Sequence, residues 1–102
     1  MVSDISLQPD GSLRVSGDLV FGTVAVLLNR GIGLLDRGGP HVIDLSDVEH
    51  CDSAGLALLL EWLDYGRSKA FKVSFRGLPK GLLRIAGLSN ATSLLVPTSE
   101  FL

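Results

Sequence analysis

Cysteine is almost missing from this 102-residue chain: Cys51 stands alone, which excludes an internal disulfide and any zinc cluster built on thiolates. A lone free thiol fits a reducing compartment. Basic charge is not concentrated anywhere either. Nine Lys and Arg against eleven Asp and Glu leave a net charge of −2. The four Phe, one Trp and one Tyr are scattered rather than interleaved with cations. Nucleic acid is therefore a poor partner on both electrostatic and stacking grounds. No apolar stretch runs far past about ten residues before a charge interrupts it, well short of the ~20 needed to cross a bilayer. The opening MVSDISLQPDGSL carries Asp4 and Asp10, unlike a secretory leader. Repeats, low-complexity tracts and linkers are lacking too. The expectation is one soluble cytoplasmic domain over residues 1–102. Its 46% hydrophobic content supplies a single modest core, since a chain of this size buries roughly 65% of its unfolded surface.

What is present is a clear alternation of periods. Ile5 and Leu7 alternate with polar residues, PDG turns the chain, and Leu13 and Val15 alternate again, which predicts a hairpin. Val24, Leu27, Leu28, Ile32 and Leu35 sit at helical spacing, so Thr23 to Asp36 reads as a helix closed by RGGP. Gly31 and Gly33 each cost that helix about 1 kcal/mol relative to Ala. HVIDL reads as a short buried strand followed by a polar loop. Ser53 to Lys69 is the strongest helix, and KVSFR is a strand with Val73 and Phe75 on one face. Pro79 opens a last helix where its missing N–H does no harm, and Gly87 or Asn90 closes it. Leu94 to Val96 adds a final apolar strand or cap. The order is ββαβαβα, an α/β fold with a mixed sheet and helices packed against it.

The helix beginning at Ser53 carries two apolar stripes. At about 100° per residue, Leu56, Leu59, Leu60 and Leu63 fall together and read as the core face. Leu58, Trp62 and Tyr65 form a second stripe read as lying on the opposite side, with Glu61, Asp64 and Ser68 on the flank between. Either Leu58 packs under a neighbouring helix with the aromatics resting on the surface, or the stripe is an apolar patch that a partner covers. Trp and Tyr are enriched at binding hot spots, which gives the second reading its appeal.

Catalytic motifs fare poorly. Gly31-Ile32-Gly33 lacks the last glycine of a dinucleotide loop and precedes a strand instead of following one. His50, Cys51, Asp52 and Ser53 crowd together, but adjacent residues rarely bring a nucleophile and its base into hydrogen-bond reach. His50 reads as a solvated loop residue and Cys51 as a small buried hydrophobe. No metal or cofactor is expected. Asp52 and Ser53 are good helix N-caps. The same geometry also leaves a hydroxyl at a helix start, where a phosphate would be tolerated and would act on whatever docks beside it.

The stretch VIDLSDVEHCDSAGLALLL, as strand, loop and helix, resembles a STAS domain (SpoIIAA-like fold). In the anti-sigma factor antagonists of that family, the matching motif is Asp-Ser-Ser/Thr-Gly or similar, and its first hydroxyl accepts a phosphate. It maps onto Asp52, Ser53, Ala54 and Gly55, making Ser53 the candidate phosphoacceptor. DSAGLALLLEWLDYGRSKAFKVSF, a Leu-Pro segment and LLRIAGLSNATSLL look like the MlaB branch, from about His41 to Leu95. That resemblance implies a non-enzymatic regulatory or assembly subunit, cytoplasmic and peripheral to the inner membrane. It would bind the ABC ATPase (MlaF-like) of a phospholipid transporter that also holds a permease and a lipid-binding subunit, and would support outer-membrane lipid asymmetry without inserting in the membrane itself. Asp52, Ser53, Ala54, Gly55, Leu58, Trp62 and Tyr65 would form the docking surface, small Ala54 and Gly55 admitting the partner's backbone. The alternative is an anti-sigma factor antagonist switched at Ser53.

Overall fold

In a computed structural model, which describes residues 3–38 and 40–95, the alternation of LRVSGDL becomes strand β2 (Leu13–Leu19). Leu13, Val15 and Leu19 are buried on one side of it, and Arg14, Ser16 and Asp18 sit half-buried on the other. The expected hairpin joins it antiparallel to β1 (Asp4–Leu7). Gly11, at φ +90°, takes the left-handed turn conformation that a side chain would resist. Helix α1 (Val24–Leu35) leads into β3 (His41–Cys51), helix α2 (Ser53–Ser68) into β4 (Val73–Arg76), and helix α3 (Lys80–Leu88) into a short α4 (Thr92–Leu95). The sheet order is β1-β2-β3-β4, with β2, β3 and β4 parallel. The ββαβαβα order is the one expected, with α4 added. Leu94 and Leu95 lie in that helix rather than in a strand, and Val96 is outside the described residues.

Two expectations need correction. The strand begun by HVIDL does not end at Leu45; it continues to Cys51 because β2 pairs with it along Asp47, Val48 and Cys51, and Val48 resumes the buried side. The polar residues from Glu49 are therefore strand, and α2 follows after Asp52 alone.

The second correction concerns the two stripes of α2. They are not opposite faces. Their centres lie about 140° apart on a helical wheel, and the gap between them is occupied by Gly55, Leu59, Trp62 and Gly66, all buried. Glycines carry no hydropathy signal, so the middle of the arc looked empty and its edges looked like separate faces. A Cβ on Gly55 would come within 2.7 Å of Leu19 O, and one on Gly66 within 2.6 Å of a Val73 methyl. Both are bare so that α2 can lie close on the sheet. Trp62 is fully buried and Leu58 is 3% exposed, both on the side covered by α1. Leu60 and Leu63, expected inside, are only half-buried at the other edge.

Helix α1 accommodates the indole by being bare as well: a Cβ on Gly31 would lie 2.5 Å from Trp62 Cε2 and Nε1. The helix-weakening glycine is the receiving surface for the largest core side chain. Helices α2 and α3 end alike. Phe71 N–H bonds to Gly66 O and Ala91 N–H to Ala86 O, with Ala70 and Asn90 at positive φ between helix and exit. Asn90 thus closes α3, as expected, while Pro79 is its N-cap.

Candidate functional site

The site is assembled where β2 and β3 end and α1 and α2 begin. In a parallel sheet the helix N-termini and the strand C-termini share one edge, so loops carrying function collect there. Asp52 organises this edge. One carboxylate oxygen accepts Ala54 N–H at 2.8 Å and caps α2; the other accepts Phe21 N–H at 3.1 Å from the segment before α1. Its own amide donates to Leu19 O. A single side chain therefore fixes the starts of two helices relative to each other.

Ser53 is the first residue of α2 and is exposed; capping falls to Asp52 alone, where either residue had been expected to serve. Beside it, Phe21, Val24, Ala25, Leu28, Ala54, Ala57 and Leu58 line an open groove between the first turns of α1 and α2. Glu61 is the one charged residue on its wall. Phe21, just before α1, is 84% exposed and Val26, in its first turn, 59%, a cost in contact with water that a monomer gains nothing from.

The structure brings together Asp52, Ser53, Ala54 and Leu58 from the expected set and separates the rest. Gly55 meets this chain's own Leu19, not the backbone of a partner. Trp62, expected to offer its ring outward, is sealed under α1, its indole N–H directed at Leu28 O at 3.4 Å. Tyr65 is half-buried, about three turns along α2 from Ser53; its hydroxyl donates to Asp36, and that bond holds the phenol above its usual titration range. Twelve residues of helix put it roughly 18 Å from Ser53, so one small contact cannot include both. Sequence reasoning missed Phe21, Val24, Ala25, Leu28 and Ala57. Phe21, a large apolar residue between a strand and a helix, was the available signal.

The remaining chemistry is quiet. Burial, with the Asp52 charge beside it, pushes the Cys51 thiol up, away from a nucleophilic thiolate. His50 meets Asp18 at 3.2 Å and is exposed. His41 is a core residue, its Nε2 3.2 Å from Leu35 O and its ring edge-on to Phe71. On the far side of α2, Leu60, Leu63 and Leu94 line a second shallow groove with Glu61, Asp64 and Arg67. Among the described residues no helix is long and apolar enough to cross a membrane.

Residues 5–97 match the family described as "Mlab, STAS domain". No match is found among curated proteins. Among solved structures, the chain resembles a candidate anti-sigma factor antagonist from Thermotoga maritima (TM-score 0.73, 18% identity, 96% of this chain and 89% of that one). It also resembles the anti-sigma factor antagonist SpoIIAA in its unphosphorylated form (TM-score 0.64, 11% identity, 85% and 83%). A third is a sulfate transporter family protein from Wolinella succinogenes (TM-score 0.63, 18% identity, 83% and 70%). At these identities the likeness establishes the fold.

Proposed function

The chain belongs to the STAS domain family, in the branch related to MlaB, and from that premise we propose that it is a non-enzymatic subunit, a single STAS domain, that docks on a cytoplasmic ABC ATPase. The transporter so served would move phospholipid and maintain outer-membrane lipid asymmetry, with this chain held at the inner membrane through its partner. One observation carries the reading: the apolar groove between the first turns of α1 and α2, next to the family's motif at Asp52, Ser53 and Ala54. A surface that is apolar, shallow and edged by an exposed Phe suits a protein contact better than a small substrate, which needs enclosure and convergent polar groups. Leu58 remains part of this surface through the groove wall. The contacts once given to Trp62 pass to Phe21, Val24 and Ala57.

Ser53 supports a second reading, regulation by phosphate. It is exposed at a helix start, and two of the structural relatives are described as anti-sigma factor antagonists. Affinity purification of the chain from its own cells separates the readings: recovery of an ABC ATPase with permease supports the first, recovery of a serine kinase the second. Ser53→Asp should leave α2 intact, since negative charge is favoured in a first helical turn, yet weaken ATPase binding at least tenfold. Undiminished binding would remove Ser53 from the interface.

A further inference from the structure

Strand β2 takes two steps from Gly17 to Leu19 while β3 takes three from Val48 to Cys51. One residue, Asp18, therefore faces two, Glu49 and His50. In a regular strand, consecutive side chains leave on opposite faces; an extra residue in one strand re-aims them. Glu49 and His50 are both exposed, and one ligand-type atom from each lies within 4.8 Å of the others and of a carboxylate oxygen of Asp18. We propose that Asp18, Glu49 and His50 bind one divalent transition-metal ion, zinc matching best, at the paired tips of β2 and β3.

The spacing suits an ion. His50 Nδ1 and Asp18 Oδ1 are 3.2 Å apart, and two ligands about 2.0–2.1 Å from a tetrahedral zinc stand about 3.3 Å from each other. Glu49, with three side-chain torsions, closes the third position. One imidazole nitrogen and two carboxylate oxygens form a borderline-hard set that takes zinc, cobalt or manganese and disfavours copper(I). Two carboxylates and a neutral imidazole balance the ion's charge. Asp18 is held from behind, as a ligand's backbone should be. Ser3 Oγ accepts its N–H at 2.9 Å, and its carbonyl accepts from Ser3 Oγ and Thr23 Oγ1, each at 2.7 Å. Three protein ligands leave a tetrahedral ion one position for water. Asp18 and His50 are 32 residues apart, so their meeting depends on the parallel pairing of β2 with β3.

Titration of zinc into the untagged, metal-free chain by calorimetry tests the site, with cobalt(II) giving a visible d–d band as a check on geometry. One ion per chain is expected, and Asp18→Asn, Glu49→Gln and His50→Gln should each weaken binding at least tenfold. These side chains are exposed or half-exposed, so the metal-free variants should melt like the parent, which separates lost ligation from lost fold. Cys51→Ser should bind as the parent does. Absence of saturable one-to-one binding, binding that survives His50→Gln, or binding abolished by Cys51→Ser would each overturn the proposal and leave His50 as the partner of an ordinary surface ion pair.

Discussion

The Trp62 indole lies against the bare Cα of Gly31, so close that a methyl group there would stand 2.5 Å from two of its ring atoms. The contact fixes the sign of a substitution. In an exposed helix, Gly→Ala gains about 1 kcal/mol of propensity. Here Gly31→Ala must displace a fully buried ring, and overpacking costs about 1–3 kcal/mol. Because neither helix can retreat without opening the core, overpacking outweighs propensity, and a net loss of up to about 2 kcal/mol is expected in urea unfolding, with altered tryptophan fluorescence. Stabilisation would mean that the ring is free to move aside.

Ala70 occupies the left-handed position after α2 (φ +62°), where the Phe71 to Gly66 bond closes the helix. A Cβ in that conformation costs about 1 kcal/mol or slightly more, and glycine avoids it. Ala70→Gly should therefore stabilise the fold by about 0.5–1 kcal/mol after the entropy of a more flexible unfolded chain is subtracted. A thermal melt shifted downward would contradict this.

Two carboxylates, Asp10 in the β1–β2 turn and buried Asp44 in β3, couple stability to acid. Asp10 is held down to about 2, first by the hydroxyl and amide of Ser12 and then by Arg76. Asp44 is lowered by the hydroxyl and amide of Ser46 and, less, by Arg76. Both are depressed in the fold, so the unfolded chain binds more protons as pH falls below the ordinary 3.8. The stabilisation is present well above that ordinary value and is lost as pH falls through the folded-state value, which for Asp10 is about 2. Urea midpoints measured from pH 5 to 2.5 should fall, and Asp10→Asn should make the fall shallower. An equal slope in the variant would deny Asp10 its part.

The periods of the sequence were sufficient for most of the architecture. Hairpin, helix bounds at Thr23 and Asp36, and the Pro79 start all stand as read. The site was half legible. Asp52, Ser53 and Ala54 are where the motif puts them, but Trp62 faces inward. Its neighbours on the buried arc, Gly55 and Gly66, are buried for what they lack, and so is Gly31 across the interface. A hydrophobicity pattern cannot register a contact made by removing a side chain. The extension of β3 and the bulge at Glu49 and His50 were hidden for another reason: pairing with β2 decides them, and that is a long-range fact.

The groove of α1 and α2 is tested most directly by Ala57→Glu. Ala57 is exposed on the groove wall, and Glu is a good helix former, so melting of the lone subunit should change by less than about 0.5 kcal/mol. Burying that unpaired carboxylate against an apolar partner should cost about 2 kcal/mol or more. Calorimetric titration with the purified ATPase is expected to show affinity reduced at least tenfold. Affinity equal to the parent's, with the fold intact, would contradict docking at this groove.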